Sequence, residues 1–92
     1  MQMEIVEKVT IANRLGFHLR AAAQFVKASS QYKCRIVVRN QYSDANGKSL
    51  LNLMALAASY GTELTLVFEG EDAKAACENL RGLILNKFGE TD

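Results

Sequence analysis

A single histidine, His18, stands at the predicted start of a helix, and Arg20 follows two residues later. Backbone N–H groups in the first turn of a helix have no intrahelical acceptors, so they form a ready site for an anion. Arginine adds a permanently charged fork that suits phosphate oxygens. A neutral imidazole, whose ordinary pKa is about 6.5, can attack phosphorus at cellular pH. These residue types are suited to a phosphoryl group that is taken up on His18 and then passed on, although a lone histidine at a helix start is more often a solvated surface residue.

Other chemistry has weaker support in the sequence. The acidic residues are scattered, so no carboxylate pair for general acid–base catalysis is evident. Residues 46–49, Asn-Gly-Lys-Ser, end like a phosphate-binding loop but lack the preceding glycine at the required spacing. One histidine and two distant cysteines, Cys34 and Cys77, do not make a set of metal ligands. We therefore predict neither a metal site nor a cofactor.

Composition and charge narrow the class of protein further. The chain has 92 residues, which predicts one domain over residues 1–92. A formal charge of +1 gives no electrostatic reason to bind nucleic acid or an anionic membrane. No apolar run approaches the roughly 20 residues of a membrane span, and residues 1–4 show no targeting pattern. Two isolated thiols are typical of a reducing compartment, so we expect a cytoplasmic protein.

Hydrophobic periodicity predicts four strands and three helices that would position His18. In chain order these elements cover residues 6–12, about 19–29, 34–39, 42–45, a second helix that starts after Ser49, 63–69, and about 72–88. Each predicted strand has one apolar and one mostly polar face, which favours an antiparallel sheet with helices on one side. The predicted fold class is α+β, a two-layer open-faced sandwich in the order β-α-β-β-α-β-α.

The helical spacing also predicts which side chains face the core. In the first helix the expected buried stripe comprises Leu19, Ala22, Ala23 and Val26, with Phe25 beside them. In the second helix, Leu53, Leu56 and Ala57 are expected to face the core. The remaining apolar residues of that helix lie to one side and should stay partly in water, which hints at a contact surface made by Leu50, Leu51 and Met54. The last helix should run to Phe88, and Gly89 should end it.

Several segments closely resemble one known family. Residues 16–23, Gly-Phe-His-Leu-Arg-Ala-Ala-Ala, followed by Phe25 and Val26, resemble the active-site segment of HPr, the histidine phosphocarrier of the bacterial phosphoenolpyruvate-dependent sugar phosphotransferase system. Residues 46–54, Gly61-Thr62 and residues 69–73 look like further segments of the same family. The resemblance runs in order, with family-like spacing, from about residue 6 to residue 88.

The resemblance implies a phosphoryl-transfer cycle. His18 matches the histidine that accepts a phosphoryl group through Nδ1 from phosphorylated enzyme I and hands it to the IIA domain of a sugar permease. Arg20 matches the arginine that helps to hold and release the group. Ser49 matches a serine that a kinase phosphorylates, and a phosphorylase dephosphorylates, in some bacteria. The positions that match partner-docking residues of the family are Phe17, Leu50, Leu51 and Met54.

Two questions stay open at the level of sequence. The family usually has proline after the arginine, whereas this chain has Ala21, which should alter the stability of the phosphoryl group slightly without loss of function. The alternative function is that of a regulatory relative, either of a nitrogen-type phosphotransferase branch or an adaptor controlled through Ser49. We expect a phosphoryl carrier with a phosphohistidine intermediate rather than a turnover enzyme, whereas the Ser49 adaptor would bind its partners without transferring a group.

Overall fold

The structure is a computed structural model that describes residues 3–92. Within that range the chain forms four strands, three α-helices and a final 3-10 turn. The elements are β1 (Glu4–Thr10), α1 (Leu19–Ser29), β2 (Arg35–Arg39), β3 (Asp44–Asn46), α2 (Leu50–Ala55), β4 (Glu63–Glu69), α3 (Ala73–Leu85) and the 3-10 turn Lys87–Gly89. The predicted order β-α-β-β-α-β-α is confirmed.

The four strands form one antiparallel sheet in the spatial order β1-β4-β2-β3. Strand β4 lies centrally, so Phe68 pairs with Ile5 on one side and with Ile36 on the other. Alternate residues of β2 and β4 are buried, while their neighbours stay partly or fully exposed. The alternation of apolar and polar residues in the sequence therefore identifies the inner face of the sheet correctly. The predicted α+β open-faced sandwich is confirmed.

The first helix has the predicted bounds, but its buried face is rotated from the predicted one. Its buried residues are Ala21, Ala22, Phe25 and Ser29. The predicted stripe is wrong for Leu19, which is 60% exposed, and for Ala23, which is also exposed. The edge-to-face contact of Phe25 with Phe17, at 5.5 Å between ring centroids, sets which side of the helix meets the core.

The second helix is shorter than its apolar sequence suggests. It ends at Ala55, Leu56 is its C-cap, and Leu53 and Leu56 are buried as predicted. Ala57 does not face the core: it is exposed and adopts a left-handed φ of 52° just beyond the helix. The helical spacing fails there because the chain has already left the helix at that residue.

The predicted last helix over residues 72–88 is also too long. Helix α3 ends at Leu85, and the chain then reverses through Lys87 and Phe88, whose φ angles are 58° and 55°. Phe88 is nevertheless buried, as its apolar character predicts. The C-terminal segment, residues 86–92, therefore turns back along the protein instead of extending the helix.

Cys34 and Cys77 are both free and buried, as expected for small apolar residues, and burial raises the pKa of the Cys34 thiol to about 11. No helix of residues 3–92 combines the length and the apolar character that crossing a membrane requires. In the same range, no group of three or more histidine, cysteine, aspartate or glutamate side chains could hold a metal ion.

Candidate functional site

The turn between β1 and α1 positions His18. Gly16 adopts a left-handed φ of 67°, and its N–H donates to the Asn13 carbonyl at 3.1 Å. The next N–H, that of Phe17, donates to the Ala58 carbonyl at 2.8 Å and ties the turn to the end of the second helix. A Cβ atom on Gly16 would lie 2.6 Å from the same Ala58 oxygen. Only glycine fits this approach, so the backbone that leads into His18 is closely fixed.

His18 is the N-cap residue of α1. Its backbone is extended, with φ −75° and ψ 176°, and its carbonyl accepts from the Ala22 N–H at 2.8 Å. The N–H groups of the three preceding helical residues, Leu19 to Ala21, have no acceptor among residues 3–92. Ala21, where the family usually has proline, is fully buried in this first turn. His18 therefore directly precedes three backbone donors without an acceptor in the described part of the chain, as is typical of a helix start.

The ring of His18 is fixed by a residue from the far end of the chain. Its Nε2 lies 2.5 Å from Oε2 of Glu90, and the side chain is 24% exposed. The hydrogen bond from His18 holds the pKa of the Glu90 carboxyl below its usual range, and the Asn13 amide and the Arg20 charge act in the same direction. Glu90 is therefore a carboxylate, and the Nδ1 side of the ring makes no hydrogen bond within the described residues.

Asn13 holds the other oxygen of the same carboxylate. Its Nδ2 donates to Glu90 Oε1 at 3.0 Å and to the Gly16 carbonyl at 2.8 Å, and the residue is fully buried. Sequence reasoning did not single out Asn13 or Glu90. Glu90 is 72 residues from His18 in the chain, and neither Glu90 nor Asn13 belongs to a motif in the sequence.

Arg20 stands on the same side of the protein as the C-terminal segment. The side chain is exposed, and together with Glu90 and Thr91 it lines an open depression next to the first turn of α1. Its positive charge acts, together with the His18 and Asn13 hydrogen bonds, to lower the pKa of Glu90. Arg20 and Glu90, the residue that contacts the His18 ring, therefore line the same solvent-open depression.

The second helix carries the other predicted site residues. Ser49 is its N-cap, and the Ser49 hydroxyl oxygen accepts from the Asn52 N–H at 3.2 Å. Leu51 is 82% exposed and Met54 is 37% exposed, whereas Leu50 is half-buried against the core. The apolar surface that the helical arc predicts is therefore present, with Leu51 as its most exposed member.

Phe17 is a correction to the predicted docking residues. Its side chain is 4% exposed and packs between Phe25 and Phe88, with ring centroids 5.5 and 5.6 Å away. A buried ring offers no surface to a partner protein. Phe17 instead supports from the core the turn that carries His18.

The chain is similar in sequence to one family of proteins over most of its length. The profile described as "PTS HPr component phosphorylation site" matches residues 5–86. The phosphocarrier protein HPr of Pseudomonas aeruginosa is 46% identical over 84 residues, which cover 90% of this chain and 93% of the relative. The phosphocarrier protein HPr of Treponema pallidum is 41% identical over 86 residues, covering 94% and 98% of the two chains.

Solved structures of HPr proteins have the same fold as this chain. HPr-C-His from Thermoanaerobacter tengcongensis superposes with a TM-score of 0.92 at 35% identity and covers 96% of this chain and 99% of its own. A phosphocarrier protein HPr from Bacillus anthracis superposes with a TM-score of 0.85 at 28% identity, covering 88% and 96%. The similarity in fold therefore extends over most of the chain.

Proposed function

This chain belongs to the HPr phosphocarrier family of the phosphotransferase system, and from that premise we propose that it accepts a phosphoryl group on His18 from phosphorylated enzyme I and passes it to IIA domains of sugar permeases. The observation that carries the proposal is the position of His18. Its imidazole is partly exposed at a helix start where three backbone N–H groups have no acceptor among residues 3–92.

The transfer step needs only a free ring nitrogen and donors for the phosphoryl oxygens. The lone pair of Nδ1 forms the new N–P bond, while the bond from phosphorus to the donor atom breaks and its electron pair stays with that atom. The first-turn N–H groups and the Arg20 guanidinium receive the phosphoryl oxygens. A helix start contributes only about 0.3–2 kcal/mol, so the group is held weakly enough to be passed on.

The exposed residues of the second helix give enzyme I and the IIA domains an apolar surface to contact. Leu51 and Met54 expose most of that surface, and Leu50 contributes its half-buried edge. The hydrogen bond from the Phe17 N–H to the Ala58 carbonyl ties the loop after this helix to the turn before His18, so a partner docked on α2 would lie near the phosphoryl site. Phe17 is left out of this proposed docking surface because it is buried.

The test is phosphorylation in a defined mixture. Incubation with enzyme I and phosphoenolpyruvate should add about 80 Da, one HPO₃ unit, in an acid-labile linkage. The H18A variant should take up no adduct, and R20A should be phosphorylated more slowly than R20K, which keeps the charge. An adduct that persists in H18A, or wild-type protein that stays unmodified, would overturn the proposal.

A further inference from the structure

The Glu90 carboxylate meets the ring nitrogen of His18 that the proposed transfer does not use. We propose that Glu90 is a positioning residue for phosphoryl transfer: it holds His18 in the tautomer that carries hydrogen on Nε2 and leaves the Nδ1 lone pair free to attack. The inference rests on the proposed function and deepens it, because it gives a role at the site to a residue that no sequence motif marks.

The charge of Glu90 determines which way the hydrogen bond runs. Because its pKa lies below the usual range, the side chain is ionised at neutral pH and can only accept hydrogen bonds. The His18 Nε2 atom, 2.5 Å away, must therefore be the donor. A neutral imidazole has one N–H, so Nδ1 is left unprotonated and nucleophilic.

Both oxygens of the carboxylate are held, so its orientation is fixed. Oε2 accepts from His18, and Oε1 accepts from the Asn13 amide at 3.0 Å. Asn13 is fully buried, and its Nδ2 also donates to the Gly16 carbonyl at 2.8 Å. The turn that positions His18 and the carboxylate that contacts its ring thus share one buried amide.

The backbone of the C-terminal segment brings Glu90 to this place at a conformational cost. Lys87 and Phe88 both adopt left-handed φ angles, which bulky side chains rarely do. The Glu90 N–H donates to the Lys87 carbonyl at 2.9 Å, and the Arg14 N–H donates to the Asp92 carbonyl at 2.7 Å. These hydrogen bonds therefore stabilise the strained turn at Lys87 and Phe88. The turn brings Glu90 into contact with His18.

The same contact compensates charge during the transfer. When Nδ1 bonds to phosphorus while Nε2 keeps its hydrogen, the ring becomes a substituted imidazolium with a positive charge. The carboxylate on Nε2 stabilises that charge, as buried carboxylates do for histidine bases in hydrolases. Glu90 lies on the Nε2 side of the ring and leaves the Nδ1 side to the phosphoryl oxygens.

The E90Q substitution makes the sharpest test because glutamine has only one oxygen acceptor. The native geometry needs two acceptors, one for Asn13 and one for His18. If the amide oxygen faces Asn13, the new NH₂ group faces Nε2, which must then accept and so forces hydrogen onto Nδ1. The E90A variant removes the contact altogether and releases the ring. D92N removes one charge from the same segment without touching His18, so it is the matched control.

Two measurements on these variants test the role separately from the proposed function. At pH 8, where imidazole is ordinarily neutral, ¹⁵N spectra of the ring should show the Nε2–H tautomer in wild type and D92N. The same spectra should show a mixture of tautomers in E90A and a shift toward Nδ1–H in E90Q. The rate of phosphorylation by enzyme I should fall by about 10–100-fold in E90Q and E90A. Activity falls by this amount in metalloproteins when a residue that orients a metal-binding histidine is removed.

Unchanged tautomers in E90Q and E90A would overturn the positioning role, as would phosphorylation rates that match those of D92N. The spectra need no phosphoryl donor. They therefore test whether Glu90 sets the tautomer of His18 even if the wild-type protein does not accept a phosphoryl group. Uptake of a phosphoryl group by H18A would refute the proposed function alone. Thermal melts of each variant show whether a lost rate reflects unfolding rather than ring position.

Discussion

Phe88 stacks on Phe17, with ring centroids 5.6 Å apart and ring planes inclined by 30°. Phe17 directly precedes His18, and Phe88 stands two residues before Glu90. Both members of the His18–Glu90 pair are therefore anchored by one aromatic contact in the core. The geometry of the phosphoryl site therefore depends on how the C-terminal segment packs, because these two rings connect them.

Replacing Phe88 should measure that coupling. Because the ring is almost fully buried, F88A should lower the free energy of unfolding by roughly 3 kcal/mol or more in urea titrations. F88L keeps most of the volume and should cost less than about 1.5 kcal/mol. F88A should also broaden the ¹⁵N signals of the His18 ring, since Glu90 loses its anchor. A loss below about 1 kcal/mol in F88A would contradict the packing described for this residue.

Leu51 should matter for partners and not for stability. The side chain is 82% exposed, so L51S should change the free energy of unfolding by no more than about 0.5 kcal/mol. If α2 docks enzyme I, the same variant should raise the KM for this protein in the phosphorylation assay by about 5–10-fold. The matched control is L85S, which truncates another exposed leucine on α3. Equal KM values for L51S and L85S would remove α2 from the docking surface.

Local periodicity predicted four strands in an antiparallel sheet, although β1 covers Glu4–Thr10 instead of residues 6–12 and the spatial order of the strands was not predicted. In β4 every second residue from Leu64 to Phe68 is buried, and the predicted bounds of that strand match the observed ones. The start of α1 after His18 was also predicted, because a turn glycine and the onset of helical spacing are local signals. The residues around His18 were thus identifiable, since their chemistry and their spacing both lie within one short segment.

Long-range contacts account for what the sequence did not predict. Leu19 and Ala23 fit a helical stripe as well as Ala21 does, and only the packing of Phe25 on Phe17 decides between them. The apolar stripe of α3 continues to Phe88 in sequence, although the helix ends earlier and the ring is buried through a chain reversal. Glu90 reaches His18 only through that reversal, so no pattern near either residue could reveal the pair.

Two glycines should respond in opposite ways to the same substitution. G16A places a Cβ 2.6 Å from the Ala58 carbonyl at a left-handed φ, so it should cost at least about 2 kcal/mol and slow phosphorylation of His18. Gly82 lies within α3, and a Cβ there meets no atom within 4 Å. G82A should therefore stabilise the protein by about 1 kcal/mol. Chemical denaturation of both variants checks the signs, and a stable, active G16A would show that the turn is not constrained as described.

Asp72 should make stability depend on pH in the acid range. Its carboxylate accepts from the Lys33 and Cys34 N–H groups at 2.8 and 2.9 Å, and the Lys33 bond is the main reason that its pKa is lowered. A lowered pKa in the folded state contributes stability above the ordinary aspartate pKa of about 3.9. That stability is lost as the pH falls through the folded-state pKa.

The comparison with D72N isolates this contribution. At pH 6 the melting temperature of D72N should lie below that of wild type, because the amide cannot replace both acceptor oxygens. The difference should begin to narrow below about pH 4, where the unfolded wild-type chain takes up a proton on Asp72, and should be smallest once the folded carboxyl is protonated too. E71Q, at the exposed neighbouring residue, should follow the wild-type curve. A gap between D72N and wild type that stays constant from pH 6 to pH 2 would contradict the assignment.

Ala57 offers a direct test of the corrected end of the second helix. Since its φ is 52° and its side chain is exposed, A57G should relieve left-handed strain of about 1–2 kcal/mol. Glycine also increases the conformational entropy of the unfolded chain, which lowers the free energy of unfolding by about 0.4–1 kcal/mol. The net gain in the free energy of unfolding should therefore be about 0.5–1 kcal/mol. The same change at the exposed Ala75 of α3 should instead cost about 1 kcal/mol. If the urea midpoint rises in A57G and falls in the glycine variant of Ala75, Ala57 lies outside the helix. If the midpoint falls by a similar amount in both variants, Ala57 belongs to the helical face predicted from sequence.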